Sequence, residues 1–203
     1  MVYNGEDMKT FTFQEQFNRQ AEMFELAVGW LNSRGNVLSV TRADKEEERR
    51  GIDLKVLTRM GNKIQAPITI QVKVDFNISV TANLAVETVS AARWNGAWKP
   101  GWLSLLHNSQ LLLYVCGNTG TYRLYDSQQF YWRVMKVSNN CRAFSSLNGS
   151  EDGGDYWHGM GILVPCMMLE AMMLDTGDIK SDSEIPRNLK TSEKRSVVER
   201  VHV

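Results

Sequence analysis

Ile52-Asp53-Leu54-Lys55-Val56-Leu57-Thr58 and Ile68-Thr69-Ile70-Gln71-Val72-Lys73-Val74-Asp75-Phe76 decide how this chain is read. Both segments have strand length and strand composition, and Met60-Gly61-Asn62-Lys63 between them is a turn. Pro67 stands at the head of the second segment, where a missing amide is tolerated. Side chains alternate faces along a strand, so Gln71 and Lys73 project together while Val72 goes to the other side. If the two strands pair, Asp53 comes close to both. An acid, an amide oxygen and a lysine gathered at a sheet edge can serve a divalent cation, a water and a phosphate.

Outward from this pair, residues 11–33 read as a helix. Phe13, Phe17, Phe24, Ala27, Val28 and Leu31 recur near the helical period and form an apolar stripe. Thr12 and Glu15 make a capping-box pattern, and Gly35 is a plausible stop. Residues 36–42 read as a short strand and residues 43–50 as a charged loop. Residues 78–90 are β-compatible, 94–101 form a loop rich in Trp, Gly and Pro, and 102–107 a short helix. Leu111 to Cys116 and Thr121 to Tyr125 make a hairpin about Gly117-Asn118-Thr119-Gly120. Asp126 or Ser127 then caps a helix to about Lys136. Residues 138–155 read as loop, Met160 to Val164 as a last strand, and Cys166 to Leu174 as a short helix opened by Pro165. From Thr176 the chain is polar without a periodic apolar face, so residues 1–175 are expected to form one domain and 176–203 a disordered tail. The order predicts an α/β fold with a mixed central sheet flanked by helices.

The 203 residues are 43% hydrophobic and 23% charged, the balance of an ordinary globular domain. No apolar run reaches the length of a membrane span, and the N-terminus lacks the basic and apolar regions of a signal peptide. Cys116, Cys141 and Cys166 are odd in number and widely spaced, which argues against a zinc site or a disulfide framework. The expectation is a reducing, cytoplasmic setting. A net charge of zero argues against a histone-like nucleic-acid binder and leaves room for a local basic patch.

Gly51-Ile52-Asp53 followed by Gln71-Val72-Lys73 resembles the signature of the PD-(D/E)xK, or restriction endonuclease-like, nuclease superfamily. The likeness runs from about Phe13 to Lys136 and is clearest over Arg50 to Lys73. Ile52-Asp53 stands where the family has Pro-Asp, and Gln71 stands where most members carry an acid, as in the branch that has Gln. The stretches Leu84 to Ser90, Gly101 to Leu103 and Leu111 to Val115 are similar to a phage-encoded group of this fold. The resemblance implies an αβββαβ core, a Mg²⁺ or Mn²⁺ cofactor and a nucleic-acid substrate. It implies DNA before RNA, and either a nuclease or a member that has lost catalysis and acts as a binding or inhibitory factor. Strict sequence recognition would need a homodimer or loop contacts.

Asp53 suits a hard cation, Gln71 offers its side-chain oxygen, and the resemblance adds the Val72 carbonyl as a further ligand. Lys73 would orient water or neutralise charge on the phosphate. The plainer readings are a solvated acid at a strand end and a lysine snorkelling from a half-exposed strand. One carboxylate and one amide make a poor cage, so a second acid is expected. The family often draws it from the first helix, where Glu25 borders the apolar stripe and Glu22 lies nearly opposite it. Asp75 shares the face of Gln71 and Lys73, and Glu87 is a more distant alternative. Arg49, Arg50 and Lys55, with Arg59, are candidates for backbone phosphates, although a charge run is most often a solvated surface. Trp94, Trp98 and Trp102 read as core or lid residues, one of which could stack on a base. His107 and His158 lack a second ligand at metal spacing, and Asp152 with Asp155 fits a calcium loop only loosely.

Overall fold

The structure, a computed structural model, describes residues 13–93, 98–148 and 157–179. Its first element, α1 (Phe13–Asn32), buries Met23, Ala27, Trp30 and Leu31, a spacing that keeps one helical face on the core. Trp30 belongs to this stripe although the phenylalanine pattern did not include it. Its ring lies 4.2 Å from that of Tyr122, and the Arg34 guanidinium covers it at 4.4 Å. The expected cap Thr12 and the side chains of Phe13 and Phe17 fall outside the described residues.

After β1 (Val37–Arg42) the charged segment expected to be a loop is a helix, α2 (Lys45–Arg49). The reason is local. The Asp44 carboxylate accepts from the N–H groups of Glu46 and Glu47, and the Glu47 carboxylate accepts from the N–H of Asp44. This reciprocal cap satisfies donors that a short helix otherwise leaves open. The strand β2 (Leu54–Met60), a two-residue strand β3 (Lys63–Ile64) and β4 (Ile68–Asp75) follow. Next come a helical turn, α3 (Ile78–Thr81), where β structure was expected, and the long strand β5 (Asn83–Arg93). Then come β6 (Trp98–Pro100), α4 (Trp102–Leu105), β7 (Leu111–Cys116), β8 (Thr121–Asp126) and α5 (Ser127–Val137). Asp126 caps α5 through the Gln129 N–H at 2.8 Å, as its sequence position implies. The last strands are β9 (Arg142–Asn148), β10 (Trp157–Pro165) and β11 (Met173–Asp178).

Among the described residues the strands form two sheets. The larger runs β1-β2-β4-β7-β8-β11, with β3 paired to β2. β4 and β7 are parallel and the remaining neighbours on this path antiparallel, so the central sheet is mixed and the fold is α/β. The smaller sheet, β6-β5-β10-β9, was not foreseen: β9 lies in the expected 138–155 loop, and β6 in the expected Trp-rich one. Two 3₁₀ turns, Cys166–Met168 and Glu170–Met172, replace the expected short helix. β11 pairs Gly177 with Tyr122 and Asp178 with Thr121, and Ile179 is fully buried, so the packed domain continues beyond residue 175. Residues 180–203 lie outside the described part. No helix among the described residues is long and apolar enough to cross a membrane.

Two cores sandwich the large sheet. On one face α1 packs over Leu54, Val56, Ile70, Val72, Leu113, Val115, Tyr122 and Leu124. On the other, α4, α5 and the small sheet's Leu84, Val86 and Val164 pack over Leu112, Tyr114, Cys116 and Tyr125. This second face is the one to which β4 turns Gln71, Lys73 and Asp75.

Candidate functional site

Antiparallel pairing of β2 with β4 ends at Leu54 opposite Ile70. The chain immediately before β2 continues alongside β4 instead of peeling away. The Asp53 N–H donates to the Ile70 carbonyl at 2.9 Å, and the Val72 N–H donates to Asp53 Oδ2 at 2.6 Å. These two bonds bracket Gln71. In an extended strand a residue's N–H and C=O point to the same side, so the Val72 carbonyl also faces the Asp53 side.

Gly51 makes this approach possible. Its φ of +84° is left-handed, and a Cβ there would lie 2.7 Å from Leu105 Cβ and 3.2 Å from Gln71 Nε2. Any larger residue would push the Gly51-Ile52-Asp53 segment off β4 and α4. The turn after α4 locks the same place from the other side, where Asn108 Nδ2 donates to the Arg50 carbonyl at 2.8 Å.

The electrostatics follow from burial. Asp53 is largely enclosed, and this raises its carboxyl above the usual range; Lys73 and the Val72 N–H pull it back down, and Glu48 adds a smaller upward push. Lys73 keeps some exposure as a residue, but its ammonium is surrounded by protein. Burial lowers its proton affinity, and the charges of Asp53 and Glu87 oppose that shift. The ammonium also sits 5.7 Å from the centre of the Trp102 ring. Gln71 is 1% exposed, and its Oε1 has no hydrogen-bond partner among the described residues. A buried amide oxygen left open costs on the order of 1–3 kcal/mol, unless something absent from the bare chain takes it up.

The second acid is not where it was expected. α1 packs on the face opposite Gln71 and Lys73. Glu25 is exposed there and ion-paired with Arg42 of β1, and Glu22 is exposed on the same helix. Neither helix acid reaches the site. A helical wheel places a residue relative to its own stripe, but not relative to the two faces of a sheet. Asp75 does face the site side, but it is committed to structure. It accepts from Tyr114 Oη and the Asn77 N–H, each at 2.7 Å. The other acid whose charge acts on Lys73 is Glu87 of β5, which is half-buried. Burial raises its carboxyl, and Lys73 lowers it again.

Of the expected phosphate contacts, Arg49 and Arg50 are exposed at the end of α2, adjoining Gly51. Lys55 is not an unpaired cation: its Nζ lies 2.8 Å from Glu47 Oε2 and 3.0 Å from Oε1. Trp102 is buried against Tyr114 and Phe130, whereas Trp98 is exposed on β6. Trp94, Asp152, Asp155 and the side chain of His158 lie outside the described residues.

The arrangement brings Asp53, Gln71 and Lys73 together at the head of β2 and the middle of β4. It adds Glu87 and leaves Glu22 and Glu25 aside. The donors suit a hard divalent cation: the Asp53 carboxylate, an open amide oxygen and a backbone carbonyl. Among the described residues, no three Asp, Glu, His or Cys side chains converge as a ready-made cage. No family model, curated protein or solved structure matches the chain.

Proposed function

We propose that this chain is a divalent-cation-dependent nuclease with a restriction endonuclease-like core, hydrolysing phosphodiester bonds, DNA foremost. The observation that carries the reading is the open, buried Gln71 Oε1 beside the Asp53 carboxylate, on the sheet face that also presents Lys73. The path of the chain supports it. With the short helices α2 and α3, β3 and the β5–β6 excursion set aside, α1, β1, β2, β4, α4 and β7 run in αβββαβ order, and β7 returns parallel to β4.

Asp53, Gln71 Oε1 and the Val72 carbonyl are the groups that would hold Mg²⁺ or Mn²⁺. A bound cation there would acidify a water and offset charge on the phosphate. The chain's own residues supply the rest. The Val72 N–H fixes the rotamer of Asp53. Lys73, enclosed on the same sheet face, would offset negative charge developing on a phosphate, its proton affinity lowered by burial and partly restored by the charges of Asp53 and Glu87. Its enclosure strengthens that interaction relative to water. Arg49 and Arg50 flank the Gly51 turn, from where they would contact the sugar-phosphate backbone.

A second reading is a nuclease-fold protein without catalysis, acting as a binding or inhibitory factor. The absence of a three-acid cage among the described residues favours it. One assay separates the two. Purified protein is incubated with Mg²⁺ or Mn²⁺ and linear, supercoiled, single-stranded or branched DNA, or RNA. The nuclease reading expects cleavage that falls about 100-fold or more in both Asp53→Ala and Lys73→Ala. Intact substrates throughout would leave the binding reading.

A further inference from the structure

All of β6 is exposed: Trp98, at 66%, with Lys99 and Pro100. β6 forms one edge of the second sheet, which runs β6-β5-β10-β9, so its outer side has no strand partner among the described residues. An indole so exposed adds little to the core. The surrounding sequence is also short of acids. From Thr88 to Tyr125 the chain has Arg93, Lys99 and Arg123 and no Asp or Glu, although the whole carries 23 charged residues of each sign. A polyanion therefore meets no carboxylate from this stretch.

The same edge leads to the site. Gly101 alone separates β6 from Trp102, the first residue of α4, and the centre of the Trp102 ring is 5.7 Å from the Lys73 ammonium. The Gly101 N–H donates to the Thr88 carbonyl at 2.9 Å, and a Cβ at Gly101 would overlap the Glu87 carbonyl, so this junction is held close against β5. The step from Trp98 to Trp102 spans at most about 14 Å, the length of about four stacked nucleotides. At its other end α4 meets the turn before β2: Leu105 abuts Gly51, and Asn108 Nδ2 donates to the Arg50 carbonyl at 2.8 Å. Exposed cations thus stand at both ends of α4, Lys99 before it and Arg49 and Arg50 beside its far end.

We infer that the free edge of β6 is a docking surface for single-stranded DNA, where Trp98 stacks on a base and Lys99 meets a neighbouring phosphate, at the rim of the Asp53–Gln71–Lys73 site. This rests on the nuclease reading and names its substrate as an unpaired strand. In a duplex the base faces are covered by their neighbours, so only an unstacked base offers the indole a partner. Stacking tolerates any base, so the surface selects strand state rather than sequence.

The test is binding of the full-length protein to a fluorescein-labelled single-stranded DNA oligonucleotide and to its duplex, read by fluorescence anisotropy in EDTA so that nothing is cut. The wild type is expected to bind the single strand more tightly than the duplex. Trp98→Ala should weaken single-strand binding by about 10-fold and leave duplex binding unchanged. Lys99→Ala should lower the steepness of log affinity against log salt concentration by about 0.7, the share of one phosphate on a single strand. Trp132→Ala removes the exposed indole of α5 and should change nothing. Unchanged single-strand affinity in Trp98→Ala or an equal loss in Trp132→Ala overturns the inference. So does a wild type that binds the duplex as tightly, or the same sequence as RNA more tightly. Mn²⁺-dependent cleavage that still needs Asp53 would leave the nuclease reading standing in each of those cases. Single-strand binding that depends on Trp98, with no substrate cleaved, supports the docking surface and removes the catalysis. A wild type that binds no nucleic acid removes both.

Discussion

The two faces of β4 differ in chemistry although they belong to one strand. Ile70 and Val72 point into an apolar core under α1, where Met23, Ala27, Trp30, Leu54, Val56 and Leu113 close around them. Gln71, Lys73 and Asp75 point the other way and are nearly as well buried, yet they are polar or charged. Burial on the first face removes apolar surface from water and stabilises the fold. Burial on the second raises the cost of every charge it encloses, and Asp53, Lys73 and Glu87 all carry that mark in their displaced proton affinities. Such costs mark a face as a candidate site, and the contrast separates the groups that fold the chain from those on which the proposed function rests.

Three substitutions sharpen the contrast. The largest effect on stability belongs to the α1 face. Leu113→Ala empties a fully buried position there, and urea unfolding should show a loss of about 2–5 kcal/mol. The site face should respond with the opposite sign. The folded-state pKa of Asp53 is raised, so its ionised form is disfavoured on folding. The cost is absent at pH below its unfolded value and is felt in full once the pH exceeds the folded one. Asp53→Asn, which can still accept the Val72 N–H, should therefore melt at a higher temperature than the wild type at neutral pH. That gain should shrink as the pH falls through the carboxyl range. A metal-free wild type that outlasts Asp53→Asn at neutral pH would show the site face to be stabilising, and the contrast would fail. The smallest effect belongs to Glu25. It sits on an exposed ion pair with Arg42, so Glu25→Gln should stay within about 0.5 kcal/mol in stability and leave Mn²⁺ binding unchanged. A clear loss of Mn²⁺ affinity in that variant would return the helix acid to the site.

Much of this was legible in residue order. The strand pair carrying Asp53 and Gln71-Val72-Lys73, the β7–β8 hairpin and the Asp126 cap follow from alternation and turn chemistry, which act over a few residues. α2 was present in the same local terms. Asp44 and Glu47 have capping-box spacing, but the density of charge between them resembles a solvated loop. The second sheet was hidden for another reason. It exists because Val86 pairs with Ile162 and Leu84 with Val164, contacts far apart in sequence that no local pattern announces. That non-local pairing also explains the misplaced acid. Glu25 is favoured by its place on a helical wheel, whereas the charge of Glu87 acts on Lys73 from β5, a strand of the second sheet that meets α4 at Gly101.

The most direct test of the central claim is diffraction from crystals grown or soaked with Mn²⁺, collected near the manganese absorption edge. The account predicts an anomalous peak within coordination distance, about 2.0–2.4 Å, of both an Asp53 carboxylate oxygen and Gln71 Oε1. A clean map with no peak between those two side chains, or with Asp53 bonded to Lys73 and the manganese bound elsewhere, would contradict it.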